Sequence, residues 1–150
     1  MSRPRPPRDA LPFLLMSATS AVAERIDAAV RAAGHPGLRP VHGLIFGRIA
    51  SGGATINEIA AHLGITKQSA AAIVGGLEKS GIVERRPHPT DRRAVLIELT
   101  PLGHEITRVA ADAATAETRS LEEALGQSDS QVFLQALGYL GAGAPPRSVW

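Results

Sequence analysis

The side chains best suited to chemistry in this chain are cations, amides and hydroxyls gathered in two places. The first is Thr66-Lys67-Gln68-Ser69, where the Gln68 amide can pair bidentately with adenine and Ser69 can bond a phosphate or a base edge. The second is Glu84-Arg85-Arg86-Pro87-His88-Pro89-Thr90-Asp91-Arg92-Arg93, in which Arg85, Arg86, His88 and Arg92 suit phosphates. Bond-making chemistry is poorly served. There is no activated nucleophile, no acid and base at useful spacing and no cofactor loop; Ser51-Gly52-Gly53 lacks the spacing and the lysine of a phosphate loop and reads as a turn. The five histidines, His35, His42, His62, His88 and His104, form no His-x-x-x-His pair and no His-Glu-x-x-His box, so neither a metal site nor a cofactor is expected. No cysteine is present, which excludes disulfides and thiolate ligands. The inventory points away from an enzyme and toward double-stranded DNA.

Two short helices must position the first cluster. Thr55 and Glu58 make a Thr-x-x-Glu capping box, and Ile59, Ala60 and Leu63 follow at helical spacing until Gly64 ends the helix. Thr66 is the N-cap of a second helix running from Lys67 to about Ser80. Its residues Ala70, Ile73, Val74 and Leu77 must face the core, which turns Gln68, Ala72, Gly75 and Lys79 outward. With Gly81 at C′, Leu77 and Ile82 are placed for the hydrophobic contact of a Schellman end. Alternation then replaces helical spacing, with Val95, Ile97 and Leu99 on one strand face and Leu96 and Glu98 on the other. Pro87, Pro89, Thr90 and Asp91 supply the turn of a hairpin that carries the second cluster at its tip. The expected fold class is mainly α with a small β-wing, a winged helix-turn-helix flanked by further helices. Gly75-Gly76 departs from this pattern, since each glycine inside a helix costs roughly 1 kcal/mol relative to alanine. Either packing or close approach of a DNA backbone would account for the pair.

Asp91-x-Arg93 followed by Leu99-Thr100-x-x-Gly103, behind a helix-turn-helix, resembles the MarR family of winged-helix transcription regulators over roughly Leu11 to Leu140. The resemblance implies a ligand-responsive repressor, a homodimer on a palindromic operator with a recognition helix in each major groove and a wing in each minor groove. It places Arg93 in the minor groove with Asp91 as the carboxylate that braces it, in keeping with the preference of a narrow minor groove for arginine. The DNA-binding set is then Thr66, Lys67, Gln68, Ser69, Ala72, Arg86, His88, Asp91, Arg92 and Arg93. The resemblance also implies an effector cleft between the flanking helices and the DNA-binding unit, for which Met16, Ser20, His42 and Phe46 are the candidate lining. No feature names the small-molecule effector.

The remaining helices follow from the apolar pattern. Leu11 to Ala33 carries a wide stripe through Leu15, Val22 and Ile26, and Pro40 opens a helix containing Val41, Leu44, Ile45, Phe46 and Ile49. Thr100 and Pro101 start a long helix to about Leu125, Gly126 closes it, and Ser128-x-x-Gln131 reads as a capping box opening a last helix with Phe133, Ala136, Leu137 and Leu140. One domain is expected over 10–142, with the winged helix-turn-helix at about 38–100 and dimerisation helices at about 10–34 and 101–142. Tails fall at 1–9, disordered and basic, and at 143–150, where Trp150 could dock. Apolar stripes left uncovered by one chain are expected to pair across a two-fold axis. Net charge is only +2, but basic residues gather at the N-terminal tail and at 85–93 while 102–125 is acidic, as expected when one face meets phosphates. Arg3, Arg5 and Arg8, the apolar run Leu11 to Met16 and Ala21-Val22-Ala23 imitate a signal peptide, but Asp9 and the polar Ser17, Thr19 and Ser20 argue against one. No membrane span and a cytoplasmic location are expected. The rival reading is a winged-helix architectural or protein-interaction module without ligand sensing.

Overall fold

A computed structural model describes residues 6–143; the N-terminal residues 1–5 and the C-terminal residues 144–150, including Trp150, lie outside it. The elements run α1 (Leu11–Ala32), α2 (Pro40–Ile49), α3 (Ile56–Leu63), α4 (Lys67–Lys79), β1 (Val83–Pro87), β2 (Val95–Leu99), α5 (Pro101–Leu125) and α6 (Gln127–Gly141). The architecture is mainly helical with a two-stranded wing. None of these helices is long and apolar enough to cross a membrane.

Local chemistry fixes the central elements as the sequence predicts. The Glu58 carboxylate accepts from the Thr55 N–H at 2.7 Å and the Thr55 hydroxyl accepts from the Glu58 N–H at 3.3 Å, closing the capping box of α3. Gly64, with φ 65°, ends that helix in the left-handed conformation. At the end of α4 the Ile82 N–H donates to the Leu77 carbonyl and the Gly81 N–H to the Glu78 carbonyl, both at 3.0 Å, which are the two bonds of a Schellman end. Ile45, Ile49, Ile59, Leu63, Ala70, Val74, Leu77, Ile97 and Ile106 then meet in one core beneath α4 and the wing.

Three details differ from expectation. Leu96 is buried and Val95 is exposed, because Val95 pairs with Pro87 at the outer end of the wing, beyond the reach of the core. The Ser128-x-x-Gln131 box does not form. Helix α6 starts at Gln127 directly after Gly126, and Ser130 is buried with its hydroxyl donating to the Leu121 carbonyl at 3.2 Å. With that hydroxyl buried against α5, the helix starts two residues earlier than a Ser128 cap would place it. The broad stripe of α1 buries only Val30 completely; Leu11, Phe13, Leu14 and Met16 are exposed, as are Val132, Phe133, Leu134, Tyr139 and Leu140 on α6.

Candidate nucleic-acid interface

Thr66 sets the geometry of the α4 N-terminus. Its hydroxyl accepts from the Ser69 N–H at 3.1 Å and lies 2.9 Å from the Ser69 hydroxyl, so both are locked to the first turn. Lys67, Gln68, Ser69 and Ala72 project into solvent from that turn and the next, on the side opposite the buried Ala70, Val74 and Leu77. Gly75 and Gly76 continue the open side. A Cβ built on either meets nothing within 4 Å, and neither has a positive φ. Packing and backbone conformation therefore leave the pair unexplained within the chain.

The wing is anchored at its root and braced at its tip. Arg85 reaches back to Glu78 on α4 at 3.0 Å, and Arg86 pairs with Glu84 at 2.7 Å. The Glu84 carboxylate raises the already high pKa of Arg86 through that hydrogen bond. Both arginines are thus engaged within the chain, although the sequence assigns them to phosphates. At the tip the His88 N–H donates to the Ala94 carbonyl and the Ala94 N–H to the Asp91 carbonyl, each at 3.1 Å. His88 Nδ1 accepts from the N–H groups of Thr90 and Asp91 at 3.3 and 3.2 Å. The Asp91 carboxylate accepts from the Arg93 backbone N–H at 2.9 Å. Asp91 therefore braces the main chain under Arg93, which corrects the expectation of a carboxylate gripping the guanidinium. Arg92 and Arg93 are exposed and have no carboxylate partner among the described residues.

A knot of hydrogen bonds joins α4, the wing and α5. The Thr100 N–H donates to the Ile82 carbonyl at 3.1 Å, and the Thr100 hydroxyl donates to the Gly81 carbonyl at 2.6 Å while accepting from the Gly103 N–H at 3.2 Å. A Cβ at Gly103 would fall 2.2 Å from the Ile82 carbonyl oxygen, so only glycine fits. This gives the Leu99-Thr100-x-x-Gly103 pattern a structural reason that spacing could not supply.

Away from the wing, α1, α2 and α5 enclose a chamber of about 200 Å³ lined by Ile26, Val30, His42, Phe46, Ile106 and Ala110. It continues into a polar mouth that Ser20, Glu24, Arg31 and Arg39 help to form. Of the four residues expected to line a cleft, His42 and Phe46 line the chamber and Ser20 the mouth. Met16 lines neither and is 58% exposed, because it sits a turn and more nearer the N-terminus of α1 than the chamber wall. Arg39, Ile26 and Ile106 are lining residues that the sequence reading missed; the one-turn spacing of Ile26 and Val30 was the available signal. His42 caps the start of α2: its Nδ1 accepts from the Arg39 N–H at 3.0 Å, performing at α2 the role Glu58 performs at α3. Burial pushes the His42 pKa below the ordinary histidine value, and the Arg39 charge adds to the effect. His104, by contrast, is exposed, and no group of three or more histidines or carboxylates among the described residues could hold a metal.

A helix-turn-helix with an exposed first turn on its second helix, followed by a hairpin with free arginines at its tip, defines a winged helix-turn-helix fold. Residues 37–94 match the MarR family model. The transcriptional repressor MprA of Escherichia coli (strain K12) is 40% identical over 52 residues, a match that spans 35% of this chain and only 30% of that repressor. Among solved structures, the transcriptional repressor CouR bound to a 23-mer DNA duplex is 25% identical over 92% of this chain and 99% of its own, with a TM-score of 0.70. FabT of Streptococcus pneumoniae in complex with DNA is 20% identical over 89% of this chain and 94% of its own, with a TM-score of 0.76.

Proposed function

We propose that this chain is a sequence-specific DNA-binding transcriptional regulator, a repressor that acts as a homodimer on a palindromic operator in the cytoplasm and loses its hold when a small molecule binds. The observation that carries the reading is the pairing of an exposed, hydroxyl-locked first turn on α4 with free Arg92 and Arg93 on a braced wing tip. Lys67, Gln68 and Ser69 enter the major groove, Gln68 reads adenine, and Ala72 meets the groove wall. Arg93 enters the minor groove while Arg92 and His88 follow phosphates, and Arg86 joins them by exchanging Glu84 for a phosphate. The repressor names and DNA complexes of the relatives support regulation rather than catalysis. The uncovered apolar faces of α1 and α6 support the dimer, with 10–34 and 101–142 as its helices and 38–100 as the reading unit. The chamber supports the ligand response.

The test is binding to the intergenic DNA beside the chain's own gene and to random duplex of equal length, at several salt concentrations. Tight, selective binding above a salt-steep background is expected, with Gln68→Ala losing selectivity more than non-specific affinity. Equal binding to both duplexes would reject the regulator and favour an architectural module.

A further inference from the structure

The tip of the wing, residues 88–94, is closed at its base by the His88 N–H donating to the Ala94 carbonyl, and none of its residues belongs to the core. Thr90, Asp91, Arg92 and Arg93 are all exposed. Two side-chain acceptors hold this loop in place of packing. His88 Nδ1 accepts from the N–H groups of Thr90 and Asp91 at 3.3 and 3.2 Å and lies 3.3 Å from the Thr90 hydroxyl. The Asp91 carboxylate, placed by that turn, accepts from the Arg93 N–H. Each bond sets the next: the ring orients Asp91, and Asp91 orients the main chain that carries Arg93. An Nδ1 that accepts carries no proton, so the ring holds its proton on Nε2 and is neutral.

We propose that His88 is the positioning residue of the wing and an acid-sensitive catch: the neutral ring folds the tip so that Arg93 is aimed, and a proton on Nδ1 releases it. A protonated Nδ1 is a donor set against two N–H groups and can keep neither bond. The released loop retains Arg92 and Arg93 as charges but no longer as an aimed pair. Attraction to phosphates then survives while the reading of the minor groove does not. The charged groups around the ring are Asp91, Arg92 and Arg93 in its own loop, the Arg86 and Glu84 pair on β1, and Glu58 on α3. The Glu58 carboxyl is held below the usual carboxylate range by hydrogen bonds from the Thr55 N–H and hydroxyl, with the charges of Arg48 and His88 adding to the effect. A charged His88 ring thus has a carboxylate within its influence on α3, where it competes with Arg48 at 3.0 Å. This deepens the DNA-binding reading above and rests on it. It also reverses the sign expected of His88, because a contact made to phosphate by charge strengthens as pH falls, whereas the catch gives up selectivity.

The test measures the affinity of the full chain for the intergenic duplex beside its own gene and for random duplex, from about pH 8 to about pH 5.5, the interval in which histidine gains charge. NMR follows the amides of Thr90, Asp91 and Arg93 and the ring nitrogens of His88 over the same range. In the wild type the ratio of the two affinities should fall several-fold on acidification, and the three amides should shift together with the ring. His88→Asn does not titrate, and its amide oxygen accepts from the N–H two residues on, so it should keep the ratio and lose its dependence on pH. His88→Lys keeps a cation for phosphates but no acceptor. It should hold random duplex as well as the wild type while selectivity falls several-fold even at about pH 8. Selectivity kept by His88→Lys, or tip amides indifferent to the ring, overturns the proposal and leaves the regulator standing. A wild type that binds both duplexes alike at every pH defeats the regulator; tip amides that still follow the ring then uphold the catch, and tip amides that do not overturn both.

Discussion

Arg93 and His42 carry the sharpest consequences of single side chains. Arg93→Ala should weaken operator binding, relax any A·T preference beneath the wing and lower the slope of log affinity against log salt by about one. Fluorescence anisotropy across a salt series measures all three, and an unchanged slope would remove Arg93 from the phosphate-lined groove. His42 governs a pH effect through burial. Its folded imidazole holds a proton less tightly than the unfolded one, so the unfolded chain binds more protons as pH falls. The stability that depends on the neutral ring is complete above about pH 6.5, declines as pH drops from there to the depressed folded value, and is lost no further below it. Thermal unfolding between about pH 7.5 and pH 5.5 should show this decline, and His42→Asn, whose amide oxygen can still cap α2, should flatten it. A decline of equal size in the variant would assign it to another group.

At the scale of elements, the open side of α4 and the close fit of α5 predict opposite responses to the same added methyl. Gly75→Ala and Gly76→Ala should each stabilise the free protein by up to about 1 kcal/mol, since the Cβ meets nothing and helix propensity improves. Each should nonetheless lower operator affinity if the bare surface receives a DNA backbone; stability by denaturant and affinity by anisotropy, read together, decide it. Gly103→Ala should destabilise by about 3 kcal/mol, because the methyl collides with the Ile82 carbonyl. These elements differ in how far their sequence announces them. The Thr55 and Glu58 box, the Gly64 turn and the Leu77, Gly81 and Ile82 end depend on neighbours in the chain, and were legible. The start of α6 was not, since Ser130 is placed by a carbonyl of α5 that no local pattern encodes. Asp91 was legible as a brace but not in its partner, because a carboxylate two residues from an arginine reaches its N–H as readily as its guanidinium. Arg39 went unread because a residue lining a chamber is defined by three helices at once.

For the whole molecule, the apolar faces of α1 and α6 are exposed in the single chain, and the proposed dimer would bury them. Phe133→Glu with Leu140→Glu should leave the single-chain core intact, since both side chains are exposed, yet yield a monomer by sedimentation velocity and a large loss of operator affinity. A dimer that persists would place the interface elsewhere. Within each chain Arg25 on α1 grips Glu117 on α5 at 2.6 Å, so the two long helices are held together at an exposed edge as well as through apolar contact. The Thr100 and Gly103 knot gives the chain a mechanical property. It clamps the C-terminal end of α4 to the start of α5, while the end of α4 that carries Gln68 lies about 20 Å away along a helix of 13 residues. A tilt of roughly 5° at the knot would swing the far end by about 2 Å, more than the tolerance of a bidentate hydrogen bond. Under the proposed function, a molecule wedged against α5 would not need to touch α4 to spoil its reading of a base; it would need only to lean on the short arm of a lever.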